Sequence, residues 1–396
     1  MATTARSRRP HMTAALRDSD RVSPLELFFD LVFVLALTQC TALMADEPTW
    51  TGLAKGLAVL GVLWWCWVGY TWLCSVVDPE EGTVRFALFT AMAGLLVVSL
   101  CVPDAFGDEA LVFAIAYGLV RSMQIVLFFV ASRDDPGLRH SVAGLLISTC
   151  IGVGLLTAAA FADGTLQGAL WALALVLDVG GPLLIDSSGW RMNPEHFAER
   201  HGLILIIALG ESIVAIGVGA EAGVTTGVAV AAVLGVAVAA AQWWLYFDVV
   251  ALVAARRLQN ARQGRERNRI GRDSFSYLHF PMMAGIVLVA LGMKKTLGHT
   301  DEALKVESAT ALLAGTSVYL LAHVAFRWRN VHTLNRQRLL VALLLPLLII
   351  AAVQIPALLT LAILAAVMCG LVAYEAVHFG EARERLRNRL LHEGAH

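Results

Sequence analysis

The sequence predicts an all-α integral membrane protein of about twelve transmembrane helices, arranged as two parallel six-helix halves. Three observations carry this expectation. The 396 residues are 58% hydrophobic and only 15% charged, against about 25% charged in soluble domains, and mean hydropathy is +0.69. The apolar residues come in blocks of roughly 20, the length that crosses a bilayer as a helix. Landmarks of the first half recur in the second.

The blocks fall near residues 26–45, 52–75, 84–103, 109–131, 139–161, 165–186, 201–220, 225–250, 276–298, 306–326, 338–354 and 356–378. They are too long for the strands of a membrane barrel and lack period-two alternation. The last two are joined only by Gln354–Ile355–Pro356, so they read either as two crossings or as one re-entrant hairpin. Most Lys and Arg residues gather in Arg6–Arg21, Arg256–Arg272, Arg327–Arg338 and Arg383–Arg389. An N-inside chain puts all four clusters on one face. Links on the other face, such as Pro103–Glu109 and Phe161–Gln167, are acidic or neutral. The positive-inside rule then sets both termini in the cytosol. Topology alone explains the basic clusters, so no nucleic-acid partner is expected; the bilayer is the partner that composition demands.

The first 21 residues are basic and polar with no cleavage site, so the first span reads as an uncleaved insertion signal. Cys40, Cys66, Cys74, Cys101, Cys150 and Cys369 lie in apolar blocks without a C-x-x-C pair. Free buried thiols are expected, with no disulfide, metal or cofactor.

Trp64–Trp65 recurs as Trp243–Trp244, and Met92-Ala93-Gly94 recurs as Met283-Ala284-Gly285. Tyr117 then aligns with Tyr319, which sets Arg121 opposite His323. The organisation reads as a basic tail (1–22), a first half (23–186), a linker (187–200), a second half (201–378) and a basic tail (379–396). Such a parallel duplication has its pseudo-axis along the membrane normal.

A charge near the bilayer centre costs at least about 2.5–3.5 kcal/mol on insertion scales, so ionisable groups within spans mark candidate sites. Glu26 and Asp30 are four residues apart on the first span, hence on one helical face. Arg121 lies in span four, Asp178 in span six, Glu211 in span seven, Asp248 late in span eight, His279 in span nine and His323 in span ten. At roughly 1.5 Å per residue, most fall in the cytoplasmic half, with Arg121 and Glu211 near the midplane. They are expected to line one cavity at the interface of the halves. Plainer readings stand beside these. Glu26 suits a helix N-terminus, Asp178 can pair with Arg121 as packing glue, and His279 and His323 can be ordinary hydrogen-bonded histidines. Arg200 sits where charges come cheaply but can reach a substrate anion.

Ser23-Pro24-Leu25-Glu26-Leu27-Phe28-Phe29-Asp30, Glu199-Arg200-His201-Gly202 with Gly210-Glu211-Ser212, and His279-Phe280-Pro281-Met282 together resemble the bacterial low temperature requirement A (LtrA) family. The resemblance spans roughly residues 20–380. It implies a multi-pass fold and draws attention to Glu26, Asp30, Glu211 and His279, without naming a substrate.

Two functions are compatible with such a site. One is proton-coupled transport of a small or amphiphilic solute, with Asp30 and Glu211 exchanging protons. The other is a membrane enzyme that uses a buried carboxylic acid as general acid on a lipid or isoprenoid. In it, an aromatic wall including Phe29, Trp65, Trp244 and Tyr246 shelters the chain, and Arg121 or Arg200 holds a phosphate. No D-D-x-x-D motif lies in a span; Asp134-Asp135-Pro136 reads as a turn. A third reading is a non-catalytic envelope protein needed for growth in the cold.

Overall fold

A computed structural model describes residues 21–80, 82–184, 189–220 and 223–392. The basic run before Arg21 and the linker residues 185–188 lie outside the described residues. Eleven helices among the described residues are long and apolar enough to cross a membrane. The first six are α1 (Pro24–Asp46), α2 (Trp50–Cys74), α3 (Gly82–Cys101), α4 (Ala110–Ala131), α5 (Pro136–Ala159) and α6 (Gly164–Leu184). Then come α7 (Pro194–Gly219) and α8 (Thr226–Phe247), two short helices α9 (Val250–Gln259) and α10 (Arg265–Ile270), then α11 (His279–Gly298) and α12 (Val306–Val331). The C-terminal α15 (Ala357–His392) is the last.

Local sequence sets the helix starts. Ser23 caps α1 in a capping box with Glu26, and Pro24 occupies the first turn. Asp135 caps α5 ahead of Pro136, which is the turn expected there. Asn193 caps α7 ahead of Pro194. That cap starts α7 one to two turns earlier than the apolar block alone suggests. A seven-residue π-helix (Gly271–Tyr277) feeds α11, a geometry often found at functional sites.

The segment expected as span 338–354 is not one continuous helix. It comprises α13 (Arg336–Leu344), a 3₁₀ turn (Leu345–Leu348) and α14 (Ile349–Ala352). Pro346 sits in that turn, where its missing N–H and ring break the helical ladder. The segment begins just after α12. Where it ends, Ala357 and Leu358 donate backbone hydrogen bonds to Glu302 and Thr300, just before α12. It therefore runs from one end of α12 to the other.

α1 packs on α2 and α3, α3 on α4, α4 on α5 and α5 on α6. In the second part α7 packs on α8 and α11, α11 on α12, and α8 on α15. α1 meets α7 and α11 at the centre, tying the two parts together. The cysteines are free, yet only Cys40, Cys66, Cys74 and Cys101 are buried. Cys150 and Cys369 lie on outward helix faces, correcting the expectation of six buried thiols.

α11 and α12 pack backbone against backbone. A Cβ on Gly292 would stand 2.8 Å from Leu312 Cα, and one on Gly285 would stand 2.7 Å from the Gly315 carbonyl oxygen. Glycine is required there because the two backbones touch. Gly292→Ala is expected to cost about 1–3 kcal/mol, read as a lower midpoint of thermal unfolding in detergent. Gly370→Ala, inside α15 with open space around it, should not lower the midpoint, since alanine is the better helix former.

Candidate functional site

An ionic cluster joins the opening turns of α1 and α7. On α1, Glu26 and Asp30 share a face; on α7, His196 and Arg200 do so at the same spacing. The two faces meet in register. Arg200 donates to Glu26 Oε1 at 2.9 Å and to Asp30 Oδ1 at 3.1 Å. His196 Nε2 stands 2.7 Å from Glu26 Oε1. The second Glu26 oxygen accepts the Ser23 N–H, closing the capping box. Trp67 on α2 donates its indole N–H to Asp30 Oδ1 at 2.8 Å. The Arg200 guanidinium lies 5.6 Å from the Trp67 ring and 5.8 Å from Phe29, within cation–π range. All four ionisable side chains are buried. Asp30 Oδ2 and Arg200 Nε nevertheless have no hydrogen-bond partner.

A second cluster joins α4, α5 and α6. Arg121 donates to Asp178 at 3.1 Å, to Thr149 at 2.9 Å and to Gln124 Oε1 at 2.8 Å. Tyr117 donates to the other Asp178 oxygen. A third cluster joins α8, α12, α13 and α15. Its core is Arg338, which grips both oxygens of Glu375 at 2.8 Å and donates to the Leu245 carbonyl. Arg383 binds Glu375 as well, and its other terminal nitrogen stands 3.0 Å from Asp248.

The histidines link the first and third clusters. His279 Nδ1 faces the Ser274 carbonyl, which only accepts, so Nδ1 carries the proton. Nε2 must then accept from the Tyr246 hydroxyl, 2.8 Å away. His323 Nδ1 faces an Arg338 N–H, so it accepts and the proton sits on Nε2. His201 packs edge-on against Trp67 and His279, at 5.1 Å from each. Trp64, Trp67, His201, His279, Tyr246 and His323 thus form one continuous ring stack.

Glu211 stands apart. It accepts from Thr38 of α1 at 2.6 Å, about 16 Å further along α7 than Arg200 at 1.5 Å per residue. The residues expected to line one cavity thus occupy separate places. The structure brings together Glu26, Asp30 and Arg200; it pairs Arg121 with Asp178; and it groups His279, Tyr246 and His323. Trp244 is 38% exposed on the outer face of α8 and joins none of them.

The large cavity lies beside these clusters. A lateral cleft of about 1090 Å³ opens between α6 and the α11–α12 pair, with α2 as its floor. Gly164, Gly168, Ala172 and Val176 form its α6 wall, and Phe280 and Val318 stand opposite. Thr51 and Trp65 both line the floor, so it extends about 21 Å along α2. Its volume is at the top of the roughly 300–1,000 Å³ range of small-molecule pockets. Trp64 separates it from the ionic cluster, stacked on Trp67 at 5.0 Å and donating its N–H to the Ser276 carbonyl of the π-helix.

Sequence reasoning passed over His196, Trp67, Glu375, Arg338 and Arg383. The signal for His196 was its spacing from Arg200, which repeats that of Glu26 and Asp30. Glu375 is itself a carboxylate within the last apolar block. Nothing local marks Trp67, whose partner is on another helix.

Removing Arg200 strands two buried carboxylates. Arg200→Met is expected to destabilise the folded protein by about 3–5 kcal/mol. Adding Glu26→Gln and Asp30→Asn to it should recover much of that loss. Thermal unfolding of the purified variants measures both.

The profile of the bacterial low temperature requirement A proteins matches residues 21–373. An uncharacterized protein of Rhizobium meliloti (strain 1021) is 30% identical over 318 residues, which covers 76% of each chain. The matched residues contain the first two clusters and the cleft, together with Arg338, while Glu375 and Arg383 of the third cluster lie beyond them. The chain belongs to the bacterial low temperature requirement A family.

Proposed function

We propose that this protein is a proton-linked transporter that moves an amphiphilic solute with a long apolar part along the cleft between its halves. It sits in the bacterial cytoplasmic membrane with twelve crossings and both termini inside. One observation carries the reading. A lateral apolar cleft about 21 Å long lies one tryptophan away from a buried ion cluster that ties the halves together. One leaflet's hydrocarbon is only about 15 Å deep, half of the roughly 30 Å core. A ligand filling the cleft therefore reaches past the midplane.

The broken segment Arg336–Ala352 supplies the twelfth crossing, because its two ends neighbour the two ends of α12. The two-half reading draws support from bonds between corresponding helix pairs, with the donor on the opposite helix: Tyr70 of α2 donates to the Val120 carbonyl of α4, and Tyr319 of α12 donates to the Gln242 carbonyl of α8. Each half also buries an arginine against a carboxylate on its last helix, Arg121–Asp178 and Arg338–Glu375.

Proton linkage follows from charge balance. Arg200 is held by two carboxylates. When Asp30, whose Oδ2 has no hydrogen-bond partner, takes a proton, the tie between α1 and α7 loses part of its Coulomb energy, while the desolvation cost of the remaining charges persists. The halves are then freer to rock about the cleft, which is how duplicated transporters alternate access. Transport is favoured over acid catalysis because neither Glu26 nor Asp30 lines the cleft. Trp64 and Trp67 stand between a bound chain and any proton they hold.

Liposome flux tests this reading. Uptake of a fluorescent long-chain amphiphile should rise with an imposed pH gradient. Asp30→Asn should abolish the gradient dependence, and Ala172→Trp, which fills the cleft, should block uptake. Wild-type uptake indifferent to the gradient would overturn proton linkage.

A further inference from the structure

A small cavity of about 60 Å³ adjoins the inner end of the cleft, and Trp65 and Ser276 line both. We infer that this cavity is a head-group subsite for a long-chain carboxylate whose hydrocarbon tail lies in the cleft; the inference rests on the transport reading above.

The lining is one-sided in its chemistry. Arg121 Nε and Gln124 Nε2 have no hydrogen-bond partner, and both residues are buried against this cavity. The orientation of the Gln124 amide is fixed. Its Oε1 accepts from Arg121, which can only donate, so Nε2 is a donor. Among the described residues no carboxylate lines the cavity. Arg272 is a further lining residue. It shares Asp273 with Arg329, at 2.8 and 3.0 Å, leaving an excess of positive charge at this end. Two buried donors without acceptors are costly, and an occupant that supplies acceptor oxygens removes the cost.

Size narrows the occupant. The cavity has room for a carboxylate or a few waters, and a phosphate ester with its full set of oxygens is a poor fit. The Asp178 side of Arg121 is already taken by the ion pair, so the head group meets Nε and the Gln124 amide from the other side. Trp65, tilted against Tyr277 at 5.5 Å, forms the partition that the chain must pass.

Competition binding tests the inference. Purified protein in nanodiscs is loaded with a fluorescent fatty-acid analogue and displaced by palmitate, hexadecanol or hexadecyl phosphate. Palmitate is expected to bind at least about tenfold more tightly than hexadecanol, the discrimination a charge-assisted pair of bonds provides. Gln124→Glu keeps the acceptor for Arg121 and places a like charge at the subsite. It should lower palmitate affinity about tenfold and leave hexadecanol unchanged. Equal binding of palmitate and hexadecanol by the wild type would overturn the subsite while leaving the cleft reading in place. Tighter binding of hexadecyl phosphate than of palmitate would overturn the choice of a carboxylate. Failure of all three to displace the analogue would overturn both the subsite and the cleft as a chain-binding site. The wild-type comparison decides these outcomes even where Gln124→Glu does not fold.

Discussion

Arg200 holds two carboxylates of another helix at once, and the meeting of α1 with α7 is organised around that contact. Glu26 and Asp30 come from α1, His196 and Arg200 from α7. Both pairs repeat every four residues, so their faces meet only in one register. A buried ion pair of this kind adds little net stability over an apolar core of the same shape. What it provides is specificity, since a slip of α1 against α7 by a single turn would strand charges in a medium that cannot solvate them. α1 and α7 are also the helices through which the two parts of the bundle meet.

Around this tie the polar groups are not pooled. Three arginines, Arg121, Arg200 and Arg338, each sit in a separate carboxylate cluster. Aromatic rings connect two of the clusters, running from Trp67 through His201 and His279 to Tyr246 and His323. The π-helix ahead of α11 matters here. Its Ser274 and Ser276 carbonyls are bonded by His279 and Trp64. The start of α11 is thereby fastened both to the ring stack and to the wall of the cleft. A change at the ion cluster has a continuous mechanical route to the cavity through Trp67 and Trp64.

The helices were legible in the sequence because apolar length is a local property. The starts of α1, α5 and α7 were legible to within a turn or two where Ser23, Asp135 and Asn193 cap them. The broken segment Arg336–Ala352 was harder. Its block is apolar, and Pro346 disrupts the helix without disrupting the hydropathy. The site was legible in parts. Asp30 stood out because charges in apolar surroundings are rare, whereas Glu26 and Arg200 lie near helix starts where charges are common. Depth already set Glu211 near the midplane and away from them, but its partner Thr38 on α1 was not visible, since only packing brings the two helices together. Trp67 and Trp65 look alike in the sequence, yet one binds Asp30 and the other lines the cleft. That difference is one of helix rotation, which only packing settles.

The central claim is that protonation at the α1–α7 tie changes the spacing of the halves across the cleft. Spin labels on Leu173 of α6 and Leu321 of α12, both on exposed faces, report that spacing by pulsed electron resonance once the exposed Cys150 and Cys369 are replaced by serine. The account predicts two distance populations whose ratio shifts on acidification, with Asp30→Asn fixing the ratio at all pH values. A single distance that neither acid nor the substitution alters would contradict it.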